Sequence, residues 1–408
     1  MTALAGLKGR LVRAASVGPR GIAQRLARRA YEATGAADLR FNLALPDVLT
    51  DVPERLPVPA EPVPRSRRLV VGWVITPPAP GSGGHTTLFR MIEALQRRGH
   101  ECVLFVYDRH GVRPEELAAR VRRHWPNVRA QVRDARQGIS GVDVLVATAW
   151  ETAHVAVRYG REPARRLYMI QDYEPYFYGH GAEYALAAMT YRLPFRRVVL
   201  GEMLDGMIRE ATGLGSTVIP FGCDSQAYHP PVEDTTRSGI VFYSRLDDAR
   251  RGYKLACVAL RLFHQSHPEQ EIHVYGEPPR GLGVPATYHG WVSARELNDL
   301  YGRTIAGLAL SFTNITLVAE EMLAAGNIPV VNDSPLARTV LPNPHVGWAE
   351  STAGALASAL SAAVSHPDVA GRAAQAAASV VGRSWLPTFE AFVAIVEREA
   401  YEQRGDDE

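Results

Sequence analysis

The sequence has few cysteines, no long apolar run and no excess of one charge. Its three cysteines, Cys102, Cys223 and Cys257, have no paired spacing, so they predict neither a disulfide framework nor a thiolate zinc site. The longest apolar stretches, such as residues 306–310, are far shorter than a membrane span. A formal net charge of +2 gives no signature of nucleic-acid binding. We therefore expect a cytoplasmic protein, with two packed domains because 408 residues exceed one ordinary core.

The first 66 residues differ from the rest and are predicted to be a basic N-terminal segment followed by a proline-rich linker. Residues 8–30 contain seven basic side chains and no acid. This pattern fits either a solvated tail or a basic helix that lies on anionic lipid at the inner face of the cell membrane, through residues 1–30. It is not typical of a signal peptide, because no apolar region of suitable length follows the charges. Six prolines between residues 45 and 66 favour an extended linker.

Strand and helix patterns alternate through the rest of the chain. Residues 69–75 form a nearly continuous apolar run, which is typical of a strand covered on both faces in a parallel sheet. Beyond a glycine-rich loop, Leu88, Met91, Ile92 and Leu95 recur at helical spacing and predict one buried stripe. Further predicted strands are residues 102–107, 142–148, 167–171, 198–200, 217–219, 240–243, 272–275, 288–291, 306–311 and 328–332. The alternation predicts an α/β chain with two doubly wound Rossmann-like domains facing a central cleft.

The domain boundaries follow from breaks in this alternation. The N-terminal Rossmann-like domain is predicted at residues 67–222 and the C-terminal one at residues 238–385. The segment between them is rich in glycine, proline and polar residues, and we interpret it as the hinge. Residues 386–408 predict a C-terminal helix that returns to the first domain. Ser293 and Glu296 form a capping box, which predicts a helix start in the second domain.

Ligands of open α/β sheets bind beyond the carboxyl ends of the strands, so the candidate site residues are those that directly follow strands. The first candidate is the loop that contains Gly83, Gly84 and His85 and opens a helix, whose free N–H groups suit an anion or a sugar hydroxyl. A plain tight turn is the simpler interpretation, and His85 has helix-start packing as its alternative. The loop lacks the G-x-G-x-x-G spacing and is rich in proline, which disfavours a nicotinamide dinucleotide.

The second candidate is a basic cluster after the first strand of the second domain. Two guanidiniums among Arg245, Arg250 and Arg251 could clamp a diphosphate with charge-assisted hydrogen bonds. Such a clamp would stabilise a leaving diphosphate without a metal ion. The alternative is a solvated turn that is salt-bridged by Asp247 and Asp248.

The third candidate is the strand, loop and helix pattern of residues 312–331. A polar loop containing Asn314 leads into a helix that opens near Thr316 and Leu317 and carries two acids, the second of them Glu321. The helix start suits a phosphate, and an acid in its first turns can accept hydrogen bonds from ribose hydroxyls. The preference of acids for helix N-termini explains the charges but not the whole pattern.

At these segments the chain resembles the retaining glycosyltransferases of the GT-B fold. Residues 321–331, E-M-L-A-A-G-N-I-P-V-V, are similar to their E-A-M-A-x-G-x-P-V-V signature. Residues 83–85 and 98–102 resemble their G-G…R-G-H-x-V opening. Residues 244–246 and 251–252 resemble their G-R-L…K-G phosphate clamp. The resemblance covers roughly residues 68–400 in order as well as in content.

Within that group, three segments look most like the WsaF-type rhamnosyltransferases of bacterial surface glycan synthesis. They are residues 147–153, 170–175 and 243–251. The resemblance implies transfer of L-rhamnose from dTDP-β-L-rhamnose to a hydroxyl of a growing polysaccharide or lipid-linked glycan, with retention and without a metal or cofactor. The alternatives are a nucleotide-sugar epimerase or phosphorylase on the same fold, and a non-catalytic nucleotide-sugar-binding scaffold.

The resemblance also implies a set of site residues. The implied catalytic residues are His85, Asp172, Glu174, Arg245 and Arg251. The implied donor-binding residues are Gly83, Gly84, Arg245, Arg251, Tyr275, Gly276, Trp291, Asn314, Thr316, Leu317 and Glu321. The implied acceptor-binding residues are Trp150, Gln171 and Tyr173. For Asp172 and Glu174, which follow a strand of the first domain, turn capping is an equally open alternative.

Roles within the donor set follow from the same resemblance. Glu321 is the expected ribose ligand, Arg245 and Arg251 are the expected diphosphate ligands, and the backbone amides of Thr316 and Leu317 are expected to contact phosphate. The chain departs from the superfamily at two positions. Thr313 stands where a second acid is usual, eight positions before Glu321, and Arg251 stands where a lysine is usual.

Overall fold

The structure, a computed structural model, describes residues 18–34, 41–79, 82–111, 113–231, 236–314 and 316–402. The chain divides into two units, Met1–Val48 and Leu49–Glu408. The first unit contains helix α1 (Gly18–Ala33), whose side chains are exposed from residue 22 onward, and a short 3-10 turn at Leu45–Asp47. The rest of the predicted basic segment lies outside the described residues.

The second unit begins with a parallel sheet of seven strands. These are β1 (Val70–Ile75), β2 (Glu101–Val106), β3 (Gln131–Asp134), β4 (Val144–Ala147), β5 (Arg165–Ile170), β6 (Arg196–Leu200) and β7 (Thr217–Ile219). Their order is β3-β2-β1-β4-β5-β6-β7. Strand β1 is buried beyond its first residue, as its apolar sequence predicts for a strand inside a covered parallel sheet.

Helices of this first domain alternate with its strands. They are α2 (Gly83–Arg97), α3 (Pro114–His124), α4 (Trp150–Tyr159), α5 (Ala182–Thr190) and α6 (Glu202–Thr212). Helix α2 has Ser82 as its N-cap, and the chain leaves it through Gly99, whose φ of 98° is in the left-handed region that glycine tolerates. The predicted apolar stripe of α2 is confirmed, since Leu88, Met91, Ile92 and Leu95 are all buried.

The second domain has a parallel sheet of six strands. These are β8 (Ile240–Ser244), β9 (Ile272–Gly276), β10 (Thr287–Tyr288), β11 (Ala306–Leu308), β12 (Ile328–Asn332) and β13 (Gly347–Ala349), in the order β10-β9-β8-β11-β12-β13. Its helices are α7 (Tyr253–Ser266), α8 (Ala294–Arg303), α9 (Thr316–Ala324), α10 (Pro335–Val340), α11 (Ala353–Val364) and α12 (Val369–Ala378). The predicted capping box of α8 is confirmed: Ser293 Oγ accepts from Glu296 N at 3.3 Å, and Ser293 N donates to Glu296 Oε2 at 2.7 Å. The two sheets together confirm the predicted pair of Rossmann-like domains.

The sequence patterns missed or overextended three of the four edge strands, β3, β10 and β13, whereas the edge strand β7 was predicted with its observed bounds. Strand β3 lies at one edge and alternates between exposed and half-buried residues, so it has no apolar run. Strand β13 has only three residues and lies at an edge of the second sheet. Strand β10 is two exposed residues, so the predicted strand at residues 288–291 is wrong beyond its start and Trp291 follows it in a loop. Edge strands bury less side-chain surface, which weakens the periodic signal.

The chain crosses between the domains twice, and the two crossings contact each other. Cys223 N donates to the Arg383 carbonyl at 2.6 Å. After the second crossing, helix α13 (Leu386–Tyr401) packs on the core of the first domain, where the rings of Phe392 and Trp73 lie 5.4 Å apart. Part of the predicted hinge, residues 232–235, lies outside the described residues. None of the helices in the described part of the chain has both the length and the apolar character needed to cross a bilayer.

Candidate active site

Two loops meet across the cleft, one after β5 of the first domain and one after β11 of the second. Thr313 Oγ1 donates to Asp172 Oδ2 at 2.8 Å, and Asn314 Nδ2 donates to the Gln171 carbonyl at 3.3 Å. Gln171 Nε2 in turn donates to the Gly84 carbonyl at 3.1 Å. The carboxyl ends of strands from both domains therefore lie together, where ligands of such sheets bind.

The starts of helices α2 and α9 also meet here. A β-carbon built on Gly83, the first residue of α2, would lie 3.8 Å from Leu317 Cδ2, near the start of α9. A β-carbon built on Gly84 would lie 3.8 Å from Gln171 Oε1. Both glycines are exposed, so their backbone is accessible between the two helix starts. Each helix N-terminus carries partial positive charge, and two together favour an anion.

His85 is held by residues at both ends of the loop that precedes α2. Its Nδ1 lies 2.9 Å from Ser82 Oγ, and its Nε2 lies 3.3 Å from the Thr76 carbonyl. Burial lowers the pKa of His85, which favours the neutral ring. These contacts are the ones expected if His85 only packs at the start of the helix, which was the alternative to a catalytic role. A catalytic role for His85 stays a prediction.

Asp172 and Glu174 have different surroundings although they are two residues apart. Burial raises the pKa of Asp172, while Thr313 and the guanidiniums of Arg250 and Arg251 oppose that rise. Asp172 faces the second domain, as its bond to Thr313 shows. Glu174 instead lies inside the first domain, where its Oε2 accepts from Trp150 N at 2.5 Å, at the start of α4. Its contacts are thus those of the capping alternative.

Two of the predicted acceptor residues are buried in the first domain. Trp150 and Tyr173 are 1% and 4% exposed. Trp150 Nε1 donates to Tyr178 OH at 3.0 Å, and Tyr173 packs edge-on against Tyr176 at 4.8 Å between ring centroids. In this arrangement they support the loop, and an acceptor would reach them only if the loop moved. Gln171 is the one of the three that lies at the cleft.

Arg251 lies next to the loop that leads into α9. Its Nη1 donates to Ser311 Oγ at 3.0 Å, and it lines a shallow pocket with Tyr243, Leu310 and Val318 of α9. Burial lowers the pKa of Arg251, with the neighbouring Arg250 acting in the same direction. A partly desolvated cation of this kind gains from a bound anion.

Arg245 has other neighbours. Its Nε lies 3.6 Å from Glu277 Oε1, and its guanidinium lies 5.7 Å above the Trp291 ring. Arg245 and Arg251 have no neighbour in common among their described contacts. That both bind the same diphosphate stays a prediction. Trp291 is 57% exposed and therefore accessible to a ligand that also contacts Arg245.

Tyr275 and Gly276 close the carboxyl end of β9. Tyr275 is buried, stacks on Tyr243 at 4.9 Å and shares a hydrogen bond of 2.8 Å with Tyr301 OH, so it supports the site from below. Gly276 has a φ of 96°, and a β-carbon there would lie 2.7 Å from the Ser244 carbonyl oxygen. Only glycine fits this turn.

The second domain contributes the start of α9 to the cleft. Ser311 Oγ donates to the Asn314 carbonyl at 3.0 Å, which ties Arg251 to the loop before the helix. Helix α9 begins at Thr316, and the Leu317 side chain packs against the core of the first domain. Residue 315 lies outside the described residues.

Glu321 lies in the second turn of α9 and is half-buried. Burial raises its pKa to about 8, although the nearby Arg90 guanidinium and Tyr228 hydroxyl oppose the rise. Its neighbour Glu320 is fully buried and pairs with Arg383 at 2.9 Å, at the second domain crossing. The two acids therefore have separate positions, and Glu321 is the one of the pair that can serve a ligand.

The site also contains Arg90, which the sequence patterns did not single out, and a contact of Arg250 with the first domain that they did not predict. Arg90 of α2 pairs with Asp224 at 2.7 Å and lies 5.1 Å above the Trp385 ring, beside the domain crossings. Arg250 lies 3.9 Å above the Phe177 ring of the first domain. No local spacing marks such contacts, because each partner is distant in sequence. Among the residues that the structure describes, no cluster of three or more His, Cys, Asp and Glu side chains is arranged to hold a metal ion.

Comparison with solved structures identifies the fold. The structure is similar to sucrose-phosphate synthase from Thermosynechococcus elongatus, with a TM-score of 0.60 and 15% identity over 81% of this chain and 98% of that one. It is also similar to Anabaena Alr3699/HepE in complex with UDP-glucose, with a TM-score of 0.62 and 13% identity over 81% of this chain and 99% of that one. The chain therefore has the GT-B fold, as its sequence predicts.

Sequence comparison narrows this class. Residues 128–202 match the family described as WsaF, N-terminal domain. The O-antigen biosynthesis protein RfbC of Myxococcus xanthus is 31% identical over 319 residues, which cover 74% of this chain and 25% of that protein. These findings confirm the resemblance to WsaF-type glycosyltransferases of the GT-B fold. The chain spans about a quarter of the length of that relative.

Proposed function

We propose that the chain is a glycosyltransferase that uses a nucleotide-diphosphate sugar in the synthesis of a bacterial surface glycan. The observation that carries the proposal is the meeting of two helix starts, where a β-carbon built on Gly83 of α2 would lie 3.8 Å from Leu317 Cδ2 of α9. Arg251 lies beside the second of them, where it shares a pocket with Val318. Two helix N-termini and a partly buried guanidinium form a site for a compact, doubly charged anion such as a diphosphate.

The geometry supports a mechanism in which the diphosphate is the leaving group. Arg251 and the backbone amides at the start of α9 would stabilise the negative charge that develops as the glycosidic bond breaks. Glu321 would accept hydrogen bonds from the ribose. Asp172 and Gln171, from the opposite domain, would contact sugar hydroxyls, and closure of the cleft would exclude water. Retention of configuration through front-face attack and independence of metal are part of the proposal.

For the donor we propose dTDP-β-L-rhamnose, which rests on the WsaF resemblance. The acceptor in this proposal is a hydroxyl of a growing surface polysaccharide or lipid-linked glycan. A thermal-shift panel of nucleotide sugars tests the donor: dTDP-rhamnose should raise the melting temperature more than UDP-glucose does. The reverse order would assign a different donor while leaving the glycosyltransferase proposal intact.

Transfer itself is tested with the purified protein, dTDP-β-L-rhamnose and a lipid-linked acceptor, with and without a chelator. We expect a rhamnosylated product of retained anomeric configuration by NMR and an unchanged rate in the chelator. Glu321→Ala should weaken donor binding, and equal affinity would contradict its role as ribose ligand. Donor binding with no transfer to any acceptor would favour the nucleotide-sugar-binding scaffold, and an altered sugar without acceptor would favour an epimerase.

We also propose that the N-terminal segment brings the enzyme to the cytoplasmic face of the membrane. Within α1, Ile22 and Leu26 are 44% and 59% exposed, and Arg25 and Arg29 are exposed on the same helix. A helix with exposed apolar and basic side chains suits an anionic lipid surface. Deletion of residues 1–34 should abolish co-sedimentation with vesicles of anionic lipid. Equal sedimentation of the full and shortened chains would remove this part of the proposal.

A further inference from the structure

Arg250 of the second domain is held so that it faces the first domain. Its Nε and Nη2 donate to the two carboxylate oxygens of Asp248, at 3.0 and 2.9 Å. Its remaining terminal nitrogen, Nη1, lies 3.6 Å from Asp172 Oδ2 across the cleft. The flat face of the same guanidinium lies 3.9 Å from the centre of the Phe177 ring, in the loop that carries Asp172.

Asp172 is correspondingly surrounded on several sides. Thr313 Oγ1 donates to its Oδ2 at 2.8 Å, and the backbone N–H of Tyr173 donates to its Oδ1 at 2.8 Å. The cations that face Asp172 are Arg250 and Arg251, which lower its pKa. The titratable groups near it in its own domain are Glu174 and Tyr191, whose pKa values the charge of Asp172 raises. A half-buried carboxylate in this position needs a cation to stay ionised.

We propose that Arg250 is a positioning residue, which holds the Asp172 carboxylate ionised and correctly placed at the cleft, where Asp172 orients a sugar hydroxyl during transfer. The inference rests on the proposed function, and it assigns Arg250 a role distinct from the diphosphate contact of Arg251. One edge of the Arg250 fork is already occupied by Asp248, and its face is covered by Phe177. The terminal nitrogen Nη1 is therefore the part of the guanidinium that remains for Asp172.

The first test measures transfer rate against pH for Arg250→Ala, Arg250→Lys and the wild type. Loss of the cation raises the pKa of Asp172, so the acid limb of the rate profile should move to higher pH by about one unit. The maximal rate should fall by about tenfold, since alignment is lost as well, while the KM for the donor changes little. Arg250→Lys should restore most of the wild-type pH profile but less of the wild-type rate, because lysine keeps the positive charge but lacks the forked guanidinium.

A matched control comes from the first domain. Asp134 and Arg136 form the same Asp-x-Arg arrangement on a 3-10 turn, with Arg136 N donating to Asp134 Oδ1 at 2.9 Å and the side chains 3.5 Å apart. Arg136→Ala removes an equivalent local pair away from Asp172, so it should leave the pH profile unchanged. An equal shift in both alanine variants would show a general charge effect and overturn the proposal.

The second test adds a readout besides activity. Melting temperatures are compared for Arg250→Ala, Asp172→Asn and the double variant. If Arg250 acts through Asp172, the double variant should lose less than the sum of the single losses, and its rate should match that of Asp172→Asn. Additive losses in both measurements would overturn the inference. The wild type could also show no transfer while the double variant still loses less melting temperature than the sum of the single variants. That result would reject the proposed function but would still support the Arg250–Asp172 contact.

Discussion

The partners and pKa values of individual side chains in this site depend more on burial than on position in the sequence. Glu320 and Glu321 are adjacent in α9, yet Glu320 pairs with Arg383 at the domain crossing and Glu321 lies near Arg90 and Tyr228. The pKa values of these two carboxyls are raised to about 7 and about 8. Sequence reasoning selected Glu321 from a motif, but the desolvation of both acids depends on packing that no motif encodes.

The raised pKa of Glu321 predicts that this residue destabilises the fold at alkaline pH. Its pKa is about 8 in the folded chain against 4.5 ordinarily, so the native state binds the proton more tightly than the unfolded state does. Stability from this group is present below pH 4.5 and is lost as the pH rises toward 8. Glu321→Gln removes the charge, so it should raise the melting temperature more at pH 8 than at pH 5. The gain in the free energy of unfolding at pH 8 should be a few kcal/mol at most.

Above about pH 8, where the Glu321 carboxyl is ionised, the same variant should bind the donor less tightly than the wild type, because a neutral amide accepts weaker hydrogen bonds from ribose than a carboxylate does. Denaturant titrations at both pH values, together with calorimetric binding of a nucleotide sugar, measure the two effects. An equal stability change at pH 5 and pH 8 would show that Glu321 is not desolvated as the structure indicates.

At the scale of elements, the helix starts with local caps could be predicted from the sequence and those with distant caps could not. The Ser293–Glu296 box lies within one turn and was predicted correctly. Helix α4 has Ala149 at its N-cap position, and its first N–H, that of Trp150, is instead bonded to Glu174, 24 residues away. The same locality explains the edge strands, whose pairing depends on a neighbour rather than on their own apolar pattern.

The capping role of Glu174 leads to a prediction that separates structure from catalysis. Burial and the charge of Glu151 hold the pKa of Glu174 well above its ordinary value, so its carboxyl is expected to be neutral. Glu174→Gln should therefore keep both stability and transfer rate close to the wild type. Glu174→Ala removes the carboxylate oxygen that accepts from Trp150 N and from the Tyr168 hydroxyl and should cost about 2–3 kcal/mol.

Urea unfolding and a transfer assay of both variants provide the measurement. Thr352→Ala, which removes an exposed cap from α11, is the control and should cost about 1 kcal/mol. If Glu174→Gln abolished transfer while the protein stayed folded, Glu174 would be a catalytic residue and the capping interpretation would be wrong.

At the scale of the whole molecule, the alternation of strands and helices was sufficient to predict two Rossmann-like domains. It could not predict how the domains approach each other, because that depends on contacts such as Thr313 with Asp172, which are 141 residues apart. The two crossings fix part of this arrangement. Gly222 of the first crossing packs directly against the backbone of Trp385 in the second, and Arg90 of α2 covers the Trp385 ring.

The tight crossing predicts that even one methyl group at Gly222 disturbs the arrangement of the domains. A β-carbon there would lie 2.5 Å from Trp385 Cα, and backbone cannot rotate away as a side chain can. Gly222→Ala should therefore lower the stability by about 2 kcal/mol or more and alter the interdomain distance measured by paired fluorescent labels. Gly354→Ala is the matched control, because Gly354 lies in α11 with nothing within 4 Å of its β-position, and alanine should stabilise that helix by up to about 1 kcal/mol. If Gly222→Ala were as stable as the control and left the interdomain distance unchanged, the two crossings would not hold the domains together as this contact implies.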